Sequence, residues 1–339
     1  MKQSKQVYVI AEAGVNHNGS LELAMQLVRE AKIAGADAVK FQTFNADELV
    51  TRTAEKADYQ LRNTSGCNTQ YEMLKQLELS IEEFATLKQE CESVGIDFLS
   101  TPYNTTDVDA LEKLDVNIYK IASAMAVEPA FLEYVAKTNK PIILSTGMCT
   151  HDEVANAVDV IKNNTTAQLT LLQCTTNYPS TIEDCNLAAM VKMADTFDVP
   201  VGYSDHTQSH TSAIVAVALG ASVIEKHFTL DKSMDGPDHS SSCDPPDLKE
   251  YITLIKQASE CLGDACKAPT SNESINRPKM RRGVVAKTDL PAGTIVSHEH
   301  IAYKRPESDL KPGQVHLIIG KKLKLDLKKD DVLKLDFFN

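Results

Sequence analysis

No apolar run in this 339-residue chain approaches the ~18–20 residues a helix needs to cross a bilayer, so no transmembrane helix is expected. The opening MKQSKQVYVIAEAG lacks the apolar stretch and small-residue cleavage site of a secretory signal. The eight cysteines (67, 91, 149, 174, 185, 243, 261 and 266) include no CxxC pair, which argues against a zinc ribbon. Their scatter along a long chain also argues against a secreted disulfide framework. Positive charge is scarce: 35 Lys/Arg against 47 Asp/Glu leave a net −12, a poor match for nucleic acid or an anionic membrane surface. No internal repeat or low-complexity tract is visible. With 42% hydrophobic and 24% charged residues, the composition is that of a globular protein, and a soluble cytoplasmic one is expected.

What is present is a regular alternation. Eight short β-rich runs occur at 7–13, 38–44, 96–102, 118–123, 141–147, 169–176, 200–205 and 222–228. Helical patterns lie between them. The first, after Ser20, spaces Leu21, Met25, Val28 and Ala31 on one face and stops at Gly35; later ones run over about 80–94, 105–115, 129–137, 151–163, 184–197, 211–220 and 245–262. Such alternation implies right-handed parallel βαβ units. Eight of them in residues 1–264 predict a (β/α)8 barrel. A doubly wound open sheet is the competing topology, but no GxGxxG follows the first strand.

The connection from Asn45 to Leu79 is too long for chain reversal alone and carries Tyr59, Tyr71, Met73 and Leu74. It is read as an ordered lid over the C-terminal ends of the strands. Residues 265–280 read as a polar linker. Residues 281–339, with short strands and Pro/Gly turns, read as a small β-rich domain. That tail carries 12 Lys/Arg and 8 Asp/Glu, net +4, leaving −16 for residues 1–280. The split suits either two differently solvated surfaces or a basic tail that docks on an acidic body.

In a parallel barrel the active site is built at the strand C-terminal ends. Here those ends are polar in every strand: Glu12, Asn16 and His17; Lys40 and Gln42; Ser100 and Thr101; Lys120 and Ser123; Ser145 and Thr146; Thr175, Thr176 and Asn177; Ser204, Asp205 and His206; Glu225 and His227. A structural barrel interior would be branched and apolar, and a buried unpaired ion there costs several kcal/mol. A single polar end is unremarkable, whereas one on every strand marks a site. Lys40 and Lys120, in otherwise apolar strands, would cradle a multiply charged phosphate or carboxylate, with hydroxyls and amides adding neutral donors. Either lysine alone could instead snorkel outward. His206 and His227, one barrel position apart and beside Asp205 and Glu225, could hold a divalent ion with positions open to water and substrate. By the period-two rule Gln42 and Glu225 share faces with Lys40 and His227. Asp238, after the last strand, either holds sugar hydroxyls or caps a turn. His210, His239, His298, His300 and His316 have weaker individual cases.

The stretches AEAGVNHNGS, AVKFQTF, EKADYQLRNT, QYEMLKQLEL, FLSTPY, YKIAS, PIILSTGM, QCTTNYP, GYSDHT and IEKHFTLDKSMDGPDH together resemble the sialic acid synthase family, the phosphoenolpyruvate-dependent synthases of nine-carbon 2-keto sugar acids. The tail is similar to that family's C-terminal antifreeze-like (SAF) domain. The resemblance implies that C3 of phosphoenolpyruvate attacks the aldehyde of an open-chain N-acetylated amino sugar, water adds at C2 and phosphate departs. It implies that His206 and His227 bind a divalent metal, Mn2+ with Mg2+ or Co2+ as alternatives. Lys40, Thr101, Lys120, Ser123, Ser145, Thr176 or Asn177, and Ser204 would hold phosphoenolpyruvate. Gln42, Tyr178 and Asp238 would hold the sugar, and Glu12 would be the acid/base. Arg305, from a KRP motif, would meet the acylamino group from the partner subunit of a domain-swapped homodimer.

Three departures from the family pattern bear mainly on the sugar. Met125 in KIASAM stands where many members carry a carboxylate, CTTNYP leaves the asparagine's role to Thr176 or Asn177, and KRPE puts Glu307 two residues beyond Arg305. The leading expectation is N-acetylneuraminate from N-acetylmannosamine. The alternative is diacetyllegionaminate or pseudaminate from a 2,4-diacetamido-2,4,6-trideoxyhexose, which would tolerate Met125 better. No second basic cluster for a sugar phosphate is apparent, which counts against shorter-acid synthases of the Kdo-8-phosphate type. A different class, a non-catalytic carbohydrate- or ice-binding protein, would not need this constellation.

Overall fold

Alternation along each strand sets both layers of the first unit. Toward the axis, Ile10, Ala38, Leu99, Ile143, Leu172 and Val223 close into an apolar floor with Tyr8 and Ile118. Toward the helices, Val9, Ala11, Val39, Phe41, Tyr119, Leu144, Leu171 and Tyr203 join the main core. The strands are β1 Tyr8–Gly14, β2 Ala38–Thr43, β3 Asp97–Pro102, β4 Tyr119–Ile121, β5 Ile142–Ser145, β6 Leu169–Cys174, β7 Val201–Asp205 and β8 Val223–His227. All pair in parallel in the order β3-β2-β1-β8-β7-β6-β5-β4. β3 and β4 lie side by side and complete the ring, although no ladder is formed between them among the described residues. This is the α/β barrel that the alternation predicts.

The computed structural model describes residues 7–339 and divides into two units, Met1–Asp264 and Ala265–Asn339. Helices between the strands begin and end on local chemistry. The Ser20 hydroxyl accepts from Leu23 N at the start of helix Leu21–Ala34, and Gly35 at φ 92° ends it in a conformation that disfavours a side chain. Ser80 with Glu83 and Thr150 with Glu153 form capping boxes for the helices Ile81–Val94 and His151–Asn164. Helix Leu21–Ala34 buries Ala24, Leu27, Val28, Ala31 and Ala34 against the strands. Removing one such side chain, as in Leu27→Ala, would cost about 2–5 kcal/mol. Gly202 is obligatory, because a Cβ there would sit 2.2 Å from the Val223 carbonyl oxygen.

The 45–79 connection is ordered and folds into helices Ala46–Leu49, Asp58–Asn63 and Gln70–Leu77. Met73 and Leu77 pack with Val15 and Phe44 in a small core of their own. The lid is tied to the loop after β8, since Asn63 Nδ2 donates to the Pro237 carbonyl (3.0 Å), Gly236 N to the Asn63 carbonyl (3.1 Å) and Ser65 Oγ to Asp235 (2.7 Å).

The second unit has a separate core of Val284, Ala286, Leu290, Val296, Ile301, Leu310, Val315, Ile318, Leu323, Leu327, Leu333 and Phe338. Its regular sheet is one antiparallel pair, β9 Gly283–Ala286 with β10 Ile301–Lys304. The 265–280 stretch, read as a polar linker, carries an exposed helix at Ser271–Met280 with a Thr270/Glu273 capping box.

Candidate active site

One step above the apolar floor, the inward positions become polar, and register fixes which of them meet. Glu12 stands opposite Lys40 on one side and His227 on the other, and Ser204 stands opposite Glu225. Together with the lid they line a cavity of about 700 Å³ at the C-terminal ends of the strands. Of the residues expected in the site, Glu12, Lys40, Gln42, Thr101, Lys120, Ser123, Ser145, Thr176, Asn177, Tyr178, Ser204, His206, His227 and Asp238 all line it, as does Glu225. Thr176 and Asn177 both face it. Arg305 belongs to the second unit, where its Nε donates to the Met280 carbonyl (2.9 Å); Glu307 is engaged by Arg281 (3.6 Å) and Lys311 (3.4 Å).

Both lysines are almost wholly buried and converge on one carboxylate. Lys40 Nζ lies 2.9 Å from Glu12 Oε2 and 3.6 Å from Glu225 Oε2, and it donates to Thr101 Oγ1 (3.2 Å). Lys120 Nζ lies 3.4 Å from Glu225 Oε1, which also accepts from Ser204 Oγ (3.0 Å). Burial alone would raise Glu225, but Lys120 and Lys40 outweigh it and hold its carboxyl down at about 2. Lys120 is lowered, by burial and by Lys40, despite Glu225. Burial pushes Glu12 up, reinforced by Glu225 and opposed by Lys40. Gln42 Nε2 donates to Glu12 Oε1 (3.0 Å), and Gln42 is itself held by Tyr103 OH (3.0 Å). Asp238 rises to about 7, through burial and then Glu12.

The imidazoles of His206 and His227 lie 5.2 Å apart, with Tyr178 4.3 Å and 5.4 Å from them. His206 Nδ1 is 2.7 Å from the Thr175 carbonyl, which can only accept, so a neutral ring leaves Nε2 unprotonated, 3.4 Å from Ser204 Oγ. Burial works to lower His206, but Cys174 and the Thr175 carbonyl outweigh it and raise it. His227 is held well below the ordinary range by burial and by His206, and its buried Nδ1 has no hydrogen-bond partner. The nearest acceptor, Asp238 Oδ2, is 3.8 Å away. Two nitrogens with free lone pairs beside carboxylates fit a divalent ion with open positions. No group of three or more His, Cys, Asp or Glu that could hold a metal ion occurs among the described residues.

Several polar strand ends do not belong to the cavity. Asn16 Nδ2 donates to the Phe228 carbonyl and Ser242, and His17 accepts from Gly19 N. Ser100 bonds Thr43, and Thr146 bonds the Leu172 carbonyl. Asp205, read beside the histidines, faces outward to Lys226 (3.4 Å) and Tyr251 (2.8 Å), because strand parity alternates Ser204 in, Asp205 out. Met125 is buried in the main core, and Ala124 is its cavity-lining neighbour. The 3-10 turn Ser123–Val127 breaks the alternation there. Residues the sequence reading missed include Tyr103, Cys174, Arg62 and Met148. Only Cys174 had a clear signal, two residues beyond inward-facing Leu172.

The NeuB family model matches residues 27–267, and the SAF domain model matches residues 281–339. The chain is 45% identical to the N,N'-diacetyllegionaminic acid synthase of Legionella pneumophila subsp. pneumophila over 96% of this chain and 93% of that protein. It is 42% identical to the synthase of the same name from Campylobacter jejuni subsp. jejuni, over 97% and 99%. Among solved structures, N-acetylneuraminic acid (sialic acid) synthetase from Leptospira borgpetersenii, in complex with citrate, superposes with a TM-score of 0.72 at 32% identity, covering 80% of this chain and 90% of that one.

Proposed function

The chain belongs to the NeuB family of sugar-acid synthases, and we propose that it condenses phosphoenolpyruvate with 2,4-diacetamido-2,4,6-trideoxymannose to give N,N'-diacetyllegionaminate and phosphate. The observation that carries the donor half is the pair of buried ammonium groups, Lys40 and Lys120, meeting at Glu225 with Thr101, Ser123, Ser145 and Ser204 around the cavity. Two compact cations ringed by neutral donors suit a small molecule with both a phosphate and a carboxylate. The Ser145 hydroxyl, buried without a partner, is available to such a ligand.

The sugar half rests on the upper wall and on the relatives. Leu49, Val50, Met73, Leu74 and Met148 offer an apolar surface for a 6-methyl and acetamido methyls. The lining adds one further cation, Arg62, to the lysine pair, and a phosphorylated sugar would call for a second cluster. The relatives at 45% and 42% identity are diacetyllegionaminic acid synthases, whereas the N-acetylneuraminic acid synthetase is only 32% identical, which favours the diacetamido sugar over N-acetylmannosamine, the reading favoured by sequence.

The bound donor presents C3 to the aldehyde carbon; the new C–C bond leaves positive charge at C2, water adds there, and cleavage of the C2–O bond releases phosphate. Glu12, raised by burial and within reach of Gln42 and Lys40, holds the proton exchanged with the aldehyde oxygen or the attacking water. His206 and His227 would hold a divalent cation, Mn2+ foremost, which when bound supplies Lewis-acid polarisation of the aldehyde oxygen. Gln42, Tyr178 and Asp238 orient the sugar, and Arg305, reaching in from the partner subunit of a homodimer, would recognise its acylamino group.

Phosphate release is the test, measured on phosphoenolpyruvate with the diacetamido mannose sugar, its altrose isomer and N-acetylmannosamine, each with and without EDTA. Fastest release with the first sugar, abolished by EDTA and restored by Mn2+, is expected. Faster release with another sugar would reassign the substrate, release unaffected by EDTA would remove the cation, and none at all would remove the enzyme reading.

A further inference from the structure

On the outer face of β7 and β8, behind the two imidazoles, lies a second pair of buried charges that the chemistry above does not use. Asp205 is fully buried and Lys226 nearly so, with Asp205 Oδ2 3.4 Å from Lys226 Nζ. They are register partners on adjacent strands. Each immediately neighbours one of the histidines, Asp205 preceding His206 and Lys226 preceding His227. Three donors fill the carboxylate: Thr207 N on Oδ1 (2.9 Å), and Ser212 Oγ (3.1 Å) and Tyr251 OH (2.8 Å) on Oδ2. The Lys226 ammonium donates to the Thr207 carbonyl and lies 5.4 Å from the centre of the Tyr251 ring.

Thr207 is therefore gripped at both ends of its backbone, its N–H by Asp205 and its carbonyl by Lys226. It follows His206 directly, and the His206 carbonyl is itself taken by Ser180 N (2.9 Å). A buried ion pair is weak evidence for stability, since an apolar pair of similar volume is often as good. What this one supplies is a fixed link between the backbone after His206 on one strand and the residue before His227 on the next.

We propose that Asp205 and Lys226 are positioning residues that set the separation and tilt of the His206 and His227 imidazoles from outside the barrel. The inference rests on the reading of those histidines as a cation site, and it adds the part of the chain that holds them in register. Neither residue touches the cavity, so loosening the link should weaken cation binding without disturbing the lysine cradle.

The test uses full-length chain stripped with EDTA and titrated with Mn2+ alone, free Mn2+ being read by electron paramagnetic resonance. The charge-neutral double variant Asp205→Asn/Lys226→Met should raise the Mn2+ Kd about 10-fold or more, and lower kcat at saturating Mn2+ while the KM for phosphoenolpyruvate stays within about twofold. A Kd equal to the parent's in a folded double variant overturns the inference and leaves the cation reading standing. If the parent binds no Mn2+ that His206→Ala removes, the cation reading fails and this inference falls with it. Should the double variant not fold, Tyr251→Phe keeps the charges paired but removes one donor from Asp205; a Kd raised about threefold supports the inference, and an unchanged one overturns it.

Discussion

At the scale of single residues, the site depends on groups held away from their ordinary protonation or packing. Glu12 keeps its proton more tightly than a free carboxyl because it is buried beside Glu225. If it moves that proton during turnover, Glu12→Ala should lower kcat about 10²–10⁴-fold with little change in phosphoenolpyruvate binding, measured by steady-state phosphate release. Gly147 makes a different point. A Cβ there would lie 2.3 Å from Thr176 Oγ1, 2.9 Å from Ser123 Oγ and 3.1 Å from Cys174 Sγ, all side-chain atoms able to move. Gly147→Ala should therefore displace two hydroxyls proposed to bind the donor. The KM for phosphoenolpyruvate should rise about tenfold or more while Tm shifts by only a few degrees, which kinetics and calorimetry on one preparation would separate.

At the scale of elements, the strands were legible because their inner faces change from apolar to polar at the same height, Ile10 to Glu12, Ala38 to Lys40, Val223 to Glu225. Parity, carried through consistently, would also have turned Asp205 outward. The turn at Ser123–Val127 could not be read this way, because a 3-10 segment has no period of two; Met125 was set against the sugar from the family pattern alone, and the turn buries it in the main core. The Thr270/Glu273 pair was a visible helix start, obscured by Pro278 near the helix end. Cavity residues from the lid were the least legible, since their place depends on contacts made far along the chain, such as Asn63 with Pro237.

The loops that carry those contacts also titrate. His17 and His239 are both held at about 4, chiefly by burial. His239 bonds Thr229 (2.6 Å) and Asn18 (3.1 Å). Their folded values lie below the unfolded ~6.5, so the folded chain binds fewer protons than the unfolded one between those limits. Their contribution to stability is full above about pH 6.5 and is lost as pH falls toward 4. Urea midpoints should drop between pH 7 and pH 4.5, and His239→Gln should shrink that drop.

At the scale of the whole molecule, two units with separate cores share one chain, and Arg305 of the second is proposed to act on a partner subunit's barrel. Arg305→Ala should raise the sugar KM and leave that of phosphoenolpyruvate within about twofold; equal losses in both would show that Arg305 has no part in sugar recognition.

Among the described residues the barrel is stitched by hydrogen-bonded ladders everywhere except between β3 and β4. Thr101 stands on one bank of that gap and Lys120 on the other. An anion gripped by both would act as the absent rung, so phosphoenolpyruvate should slow deuterium uptake at 97–102 and 118–121 more than in the laddered strands opposite. On this view the donor tightens the hoop it enters, and the vessel is stiffest when it is full.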